Sequence, residues 1–187
     1  MAILRVLIYG DERLQTPCRA VEKLTPEIGQ LIAEMGETMY AASGVGLAAP
    51  QVGVLQRLLV LDVDQVGEDG EKNKPDRLRV FINPQIVWTS DEDSPFVEAC
   101  LSIPGVEAEV YRPTRIRIRY RDERWEEHEE EADSLPARVL QHEVDHLDGI
   151  LFVDRLSFIK RQALAGQLRR LRKERETICV PVASAGK

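Results

Sequence analysis

Two histidines four residues apart constrain this chain more than any other feature. They are His142 and His146, in the segment QHEVDHLDG. On a helix this spacing places both imidazoles on one face, with their Cβ atoms roughly 5–6 Å apart, so that both rings can reach one cation. Glu143 follows the first histidine and projects to the side, where a carboxylate can take a proton from a water bound at such a cation. The pattern therefore predicts a helix that carries a metal site.

The flanking residues favour that helix. Asp133 or Ser134 can cap it, and Pro136 suits its first turn. Residues 137–147 contain no helix breaker, and Gly149 can end the helix. The pentapeptide alone is weak support for a metal, because H-E-x-x-H arises by chance and paired histidines on a helix are often packing or surface residues. A further ligand must therefore come from elsewhere in the chain.

The composition excludes several classes of protein. With 187 residues, of which 43% are hydrophobic and 30% charged, the chain can form one globular domain with its own core. A net charge of −7 argues against a protein whose whole surface binds nucleic acid. No apolar run approaches a membrane span, and Arg5 interrupts the apolar start, which is unlike a secretory signal. We therefore expect no membrane partner.

The cysteines Cys18, Cys100 and Cys179 are few, far apart and odd in number. This usage indicates a reducing compartment without a disulfide framework, and the cytoplasm is the default. Taken alone, Cys100 is more often a buried small hydrophobic residue than a ligand. Together with His142 and His146, it completes one known set of three ligands for a catalytic zinc-type site that keeps a fourth position open.

A second segment, GVGLAAPQVG at residues 44–53, combines three glycines with a proline. Such a composition is usual for a helix-to-strand loop, and the small residues also let the backbone approach another group closely. A phosphate-binding loop is excluded, because no Gly-Lys-Ser/Thr follows. Gln51 is the polar exception in this segment. Its amide either satisfies nearby backbone groups or points into a pocket.

The remaining patterns predict helices towards both ends of the chain and strands between them. Thr25 and Pro26 open an N-terminal helix with an apolar stripe, and residues 157–175 form a long basic C-terminal helix. Polar segments predict an exposed loop and an acidic turn, at 65–76 and 90–94. Strands or strand-like runs are predicted at 58–63, 79–83, 85–89, 114–120 and 150–153.

Charge patterning adds two open questions. Arginines alternate with apolar residues in the 114–120 strand, and the acidic run at 126–131 is interpreted as a solvated hairpin turn with His128 at the surface. That run also supplies opposite charge for the arginines if the next strand pairs with the 114–120 strand. Such pairing explains the arginines more simply than nucleic-acid binding does. In the C-terminal helix, the cations either complement the helix dipole or form a docking surface.

Three separated motifs, GVGLAAPQVG, EACLS and QHEVDHLDG, occur in this order and together resemble those of peptide deformylase. The resemblance spans nearly the whole chain. It implies a hydrolase that removes the formyl group from the N-formylmethionine of newly synthesised proteins and releases formate. The expected fold is α+β, with antiparallel sheets around the central metal-binding helix, an N-terminal helix and a long C-terminal helix. Residues 1–175 are expected to form a single catalytic domain, and 176–187 a flexible tail.

The resemblance also implies catalytic roles. Glu143 is the general base and acid, while the amide of Gln51 and the backbone N–H of Leu101 face the oxyanion. The implied metal is one divalent ion, Fe²⁺ in the cell, which Zn²⁺, Ni²⁺ or Co²⁺ can replace. Its implied ligands are Cys100, His142 and His146, with water in the fourth position.

Substrate-binding positions follow from the same resemblance. Gly46 lies near the formyl group, Glu98 supports the metal ligands without being one, and Arg112 is inferred to pair with Glu98. Two departures from the family pattern are Ala99, in place of the glycine of EGCLS, and Ser134–Pro136, in place of a glycine-leucine start before the helix. The methionine pocket is expected to be lined by Val45, Phe96, Leu135, Val139 and Arg138. Arg138 is expected either to contribute only the aliphatic part of its side chain or to point its guanidinium away from the pocket.

The expected partners are N-formylmethionyl nascent peptides and, through the basic C-terminal helix, the ribosome. The chain is expected to act as a monomer. Two other functions compete with this interpretation. A zinc-dependent peptidase shares H-E-x-x-H but has no need of Cys100 as a third ligand or of Gln51 beside it. A non-catalytic relative that binds ribosomes or nascent chains predicts a lost base or ligand, and every such position is filled here.

Overall fold

A computed structural model describes residues 2–63 and 77–177 of the chain. The loop predicted at 65–76, Cys179 and most of the predicted tail, from 178 onwards, lie outside the described residues. Within the described ranges the class is α+β, as predicted, with antiparallel sheets and three α-helices.

The elements follow the chain in a simple order. The helices are α1 (Pro26–Ala41), α2 (Ser134–Leu147) and α3 (Phe158–Glu174). The strands are β1 (Gly46–Ala48), β2 (Leu58–Leu61), β3 (Arg79–Thr89), β4 (Asp93–Ala99), β5 (Glu107–Pro113), β6 (Arg115–Arg121) and β7 (Glu127–Asp133). Short 3₁₀ helices lie at Glu12–Gln15, Ala49–Val52 and Phe152–Arg155.

Two antiparallel sheets surround α2. The larger has the strand order β1-β2-β3-β6-β7, and the smaller is the β4–β5 pair. The two pieces predicted on either side of Pro84 belong to one strand, β3, whose register shifts between Ile82 and Gln85. Asn83 sits in that shift at φ +53°, and its side-chain amide exchanges two 2.8 Å hydrogen bonds with the backbone of Val21. A β-bulge thus accommodates the proline without ending the strand.

Two interpretations of the sequence were wrong. The acidic run at 126–131 is not a turn, because most of it belongs to strand β7. Arg117 and Arg119 of β6 lie opposite Glu131 and Glu129, with ion-pair distances of 2.7 and 2.8 Å. Opposite charges across the ladder offset the low strand propensity of glutamate. The run predicted as strand-like at 150–153 enters the 3₁₀ helix Phe152–Arg155 instead.

Helix α2 is buried on all sides, from Ala137 to Leu147. Asp133 occupies its N-cap position, although its side chain makes no capping hydrogen bond. Gly149 ends it at φ +75°, where a Cβ atom would lie 2.8 Å from the backbone of Gln15. Glycine is required at this helix end, because the positive φ disfavours a side chain and the backbone of Gln15 leaves no space for one. A charged group on a helix this enclosed is costly unless it is paired or hydrogen-bonded.

The other two helices differ in how much they bury. Helix α1 is capped by Thr25, as predicted, and buries an apolar stripe that includes Met35 and Met39. Helix α3 is capped by Ser157 and buries only Leu168 and Leu171, so most of its surface faces solvent. No helix of the described residues combines the length and apolar character needed to cross a bilayer.

Candidate active site

Three ligand atoms converge where the turn after β4 meets α2. One atom each from Cys100, His142 and His146 lies within 4.8 Å of the other two, and all three residues are buried. The Cys100 Sγ atom is 3.2 Å from Nε2 of His146, and the two imidazole centroids are 5.0 Å apart. One thiolate and two imidazoles are a donor set suited to a late first-row divalent metal, so the residues present fit such an ion.

Glu98 fixes the orientation of His142. Its Oε2 atom lies 2.9 Å from Nδ1 of that ring, which leaves Nε2 facing the convergence point. Burial alone would raise the pKa of Glu98, but hydrogen bonds from His142 and Arg112 outweigh it and lower the pKa to about 2. An ionised carboxylate that accepts from the outer ring nitrogen holds the tautomer a metal ligand needs.

The two histidines have opposite electrostatic surroundings. Burial acts to lower the pKa of His142, but hydrogen bonds to Cys100 and Glu98 raise it well above its usual value. Burial lowers the pKa of His146 well below its usual value, and the nearby charge of His142 adds to that effect. Nδ1 of His146 has no hydrogen-bond partner among the described residues.

Glu143 sits beside the ligands as a buried carboxylate. Its Oε2 atom has no hydrogen-bond partner within the described ranges, and burial raises its pKa to about 7. A Cβ atom at Gly46 would come within 2.7 Å of Oε1 of Glu143 and 2.9 Å of Val139. Glycine at position 46 thus lets β1 lie directly against this carboxylate, which explains the small residues of the glycine-rich segment.

Gln51 does both of the things left open by its sequence position. Its Oε1 atom accepts a 2.8 Å hydrogen bond from the backbone N–H of Ala48. Its Nε2 atom is 3.5 Å from Sγ of Cys100 and 3.2 Å from Oγ of Ser102. The backbone therefore fixes which end of the amide faces the ligands, and the donor end points at them. Ser102 was missed by the sequence analysis, although a hydroxyl inside the EACLS motif was a usable signal.

A cavity of about 330 Å³ opens onto these groups. Eleven of the twelve predicted site residues line it, and the twelfth, His146, lies behind them with 1% of its surface exposed. Leu101 lines the cavity next to Cys100. The cavity lining also includes the five residues predicted to form the methionine pocket, which are Val45, Phe96, Leu135, Val139 and Arg138.

Buried charges behind the ligands form a connected network. Arg112, which is 3% exposed, donates to both oxygens of Glu98 at 2.7 and 2.9 Å and to Asp145 at 2.6 Å. Asp145 in turn accepts from Arg155 at 2.5 and 3.0 Å. The Arg112–Glu98 pair was inferred from the sequence, whereas Asp145 and Arg155 were missed. A carboxylate on the same buried helix as the histidines was the available signal.

A second group of possible ligands is of a different kind. Asp122, Glu126 and His128 also bring one atom each within 4.8 Å of one another, but they lie at the β6–β7 turn and Glu126 is exposed. His128 is partly exposed, as predicted, and its Nε2 atom is 2.9 Å from Asp122. Hydrogen bonding within the turn accounts for this group.

Comparisons with known proteins agree with this geometry. A sequence model of the polypeptide deformylase family matches residues 3–162. A peptide deformylase from Rhizorhabdus wittichii is 48% identical over 177 residues, which cover 94% of this chain and 99% of that protein. The crystal structure of a peptide deformylase from Legionella pneumophila is 37% identical, with a TM-score of 0.81 over 95% of this chain and 99% of that one. The structure of peptide deformylase from Ehrlichia chaffeensis in complex with actinonin is 38% identical, with a TM-score of 0.81 over 93% of this chain and 98% of that one.

Proposed function

The chain belongs to the peptide deformylase family, and from that premise we propose how its own residues perform the reaction. It is a metal-dependent hydrolase that removes the N-formyl group from nascent peptides and releases formate. One observation carries the assignment of roles. A cysteine, two histidines, a glutamate and a glutamine amide, from three separate sequence motifs, converge in one buried site.

The metal is proposed to be held by Cys100, His142 and His146, whose ligand atoms lie within 4.8 Å of one another. A divalent ion held there would lower the pKa of a water bound to it from 15.7 to roughly 7, and it would polarise the formyl oxygen. We propose Fe²⁺ as the cellular ion, with Zn²⁺, Ni²⁺ or Co²⁺ as replacements, since all four suit a set of one thiolate and two imidazoles.

Glu143 is proposed to move the proton. Its Oε2 atom is free of hydrogen bonds to the described residues, and Glu143 lines the cavity together with His142. That oxygen accepts the proton of the water that attacks the formyl carbon. When the carbon–nitrogen bond breaks, Oε2 returns the proton to the departing amine. The products are formate and a free amino terminus.

Gln51 and Leu101 are proposed to stabilise the negative oxygen that develops on the formyl carbon. The Gln51 amide cannot rotate freely, because its Oε1 atom is held by the N–H of Ala48. Its N–H groups are therefore aimed before the substrate arrives, and the backbone N–H of Leu101 supplies the second donor. Loss of one preorganised hydrogen-bond donor of this kind typically lowers the reaction rate about 100- to 1000-fold.

The apolar wall of the cavity is proposed to bind the methionine side chain. Val45, Leu135 and Val139 provide aliphatic contacts, Phe96 provides an aromatic face, and Arg138 contributes its stem. Gly46, which leaves room next to Glu143, is the position where the formyl group approaches. We propose a monomer as the active unit. Sparse cysteines and a nascent-chain substrate support the cytoplasm as its location.

The direct test is formate release from formyl-Met-Ala-Ser by protein purified without oxygen and loaded with Fe²⁺ or Zn²⁺. We expect rapid release from the formylated peptide and no cleavage of unformylated Met-Ala-Ser. Cutting of internal peptide bonds would support a peptidase instead. Metal-replete protein that releases no formate would support a binding protein.

We propose that helix α3 docks on the ribosome through its solvent-facing cations. Several of its basic residues already pair within the chain: Lys160 with Glu109, Arg161 with Asp154, and Arg170 with Glu174. Arg169 and Lys173 are exposed and form no ion pair with the described residues. Such cations are available for phosphate groups on a partner.

Replacement of both free cations by glutamate (Arg169→Glu with Lys173→Glu) should therefore weaken co-sedimentation with ribosomes. Loss of two phosphate contacts should lower the slope of log affinity against log salt by about two. Formate release from the short peptide should not change, because neither residue lines the cavity. The matched control, Lys23→Glu with Arg124→Glu, alters charge equally on other surfaces. Equal binding by both double variants would contradict docking through α3.

A further inference from the structure

Two cavities in this molecule share three lining residues. The first is the active-site cavity of about 330 Å³, and the second has about 560 Å³. Phe96, Leu135 and Arg138 line both, so these three side chains lie where the two cavities meet. The rest of the second cavity is largely polar and includes Ser94 and Arg115. We call Phe96, Leu135 and Arg138 the partition, because they form the shared border of the two cavities.

Arg138 is the charged member of that partition, and it is held in place from several directions. Its guanidinium donates to the backbone oxygen and hydroxyl of Ser94, at 2.7 and 3.1 Å, and to the backbone oxygen of Val110 at 3.3 Å. A longer contact of 3.4 Å reaches Glu98. The residue is 6% exposed. These bonds tie α2 to both strands of the smaller sheet.

Phe96 contacts the same guanidinium. The ring centroid lies 5.6 Å from Cζ of Arg138, a cation–π distance, and the phenylalanine is 47% exposed. Arg138 therefore contacts a second partition residue in addition to its hydrogen-bond acceptors.

We propose that Arg138 is a specificity-determining residue that sets the maximum length of the substrate's first side chain. This inference rests on the proposed function of the adjoining cavity as the methionine pocket. A side chain longer than methionine would have to enter the second cavity, which requires displacement of a buried guanidinium from its acceptors. That displacement breaks the hydrogen bonds to Ser94 and Val110 with no replacement donor from an apolar side chain, so the longer substrate is rejected. A side chain of methionine's length stops at the partition and disturbs none of these bonds.

The wild-type enzyme provides the first part of the test. Formyl-X-Ala-Ser peptides are compared in which X is methionine, norleucine or 2-aminooctanoate, the last being two methylenes longer than norleucine. We expect kcat/KM for norleucine to be close to that for methionine, and a fall of at least about tenfold for 2-aminooctanoate. Equal use of all three peptides would overturn the proposal while leaving the deformylase assignment intact. No formate from any peptide would instead count against the deformylase assignment.

Variants provide the second part. Arg138→Ala should join the two cavities and raise the 2-aminooctanoate-to-methionine ratio of kcat/KM by about tenfold or more, mainly through KM. Arg138→Lys keeps a long cationic side chain and should retain the wild-type ratio. Arg115→Ala enlarges the second cavity from its far side and should also leave the ratio unchanged. A merely structural role of Arg138 predicts that Arg138→Ala slows all peptides equally, and that result would overturn the proposal.

Discussion

Replacement of Glu143 by alanine is expected to abolish useful deformylase activity while the metal stays bound. The three proposed ligands are untouched by the change, whereas the carboxylate that receives and returns the proton is lost. General acid–base catalysis contributes about 100- to 10,000-fold to such reactions, and we expect a fall of that size in kcat for formyl-Met-Ala-Ser. Formate release and metal content per chain are measured on the same preparation.

The conservative variant Glu143→Gln distinguishes the loss of proton transfer from the loss of side-chain volume. An amide fills nearly the same space but cannot accept the proton, so activity should fall about as far as in the alanine variant. Glu37→Ala, which removes a partly exposed carboxylate from α1, is the matched control and should retain full activity. Activity of Glu143→Ala within about tenfold of wild type, with metal bound, would show that another group moves the proton.

Much of the fold was predictable because its signals are local. The helix α2 follows from the spacing of His142 and His146 together with Gly149, whose φ of +75° favours glycine. Strand β6 follows from strict alternation, and its apolar residues Ile116 and Ile118 are fully buried. In each case the residues that define the element also form its contacts with the core.

The errors arose where a distant partner decides the structure. The acidic residues of β7 resemble a solvated turn until the arginines of β6 are placed opposite them. The β4–β5 pair was not recognised, because its outward face carries exposed Val97 and Tyr111 and so lacks clean polar–apolar alternation. A propensity derived from neighbours in sequence contains no information about such cross-strand pairs.

The residues of the candidate site also fall into those marked by local motifs and those positioned by distant partners. Residues within the three motifs could be named from the sequence, because each motif carries one part of the chemistry. The residues behind them could not all be named. Asp145 lies within the HEVDH segment, yet only the fold shows that it faces Arg112 and Arg155. Nor does the sequence reveal that the head of Arg138 is bound to the backbone of β4 and β5.

Replacement of Arg112 by methionine is expected to lower both the free energy of unfolding and the affinity for the metal. Arg112 is 3% exposed and neutralises Glu98 and Asp145, which would remain buried without their shared partner. Loss of one member of a buried ion pair typically lowers the free energy of unfolding by about 3–5 kcal/mol. Glu98 would also hold the ring of His142 less firmly, and disturbance of such a supporting carboxylate typically costs about 10- to 100-fold in metal affinity.

Arg117→Met is the matched control for this experiment. It removes an arginine of the same length from the exposed Arg117–Glu131 pair, whose N–O distance is 2.7 Å. Exposed pairs contribute little to stability, so the control should unfold at nearly the wild-type urea concentration and compete equally with a chelator for Zn²⁺. If Arg112→Met behaves like Arg117→Met in both measurements, Glu98 does not need its buried partner to position His142. If only the urea midpoint falls, the network stabilises the fold without tuning the metal site.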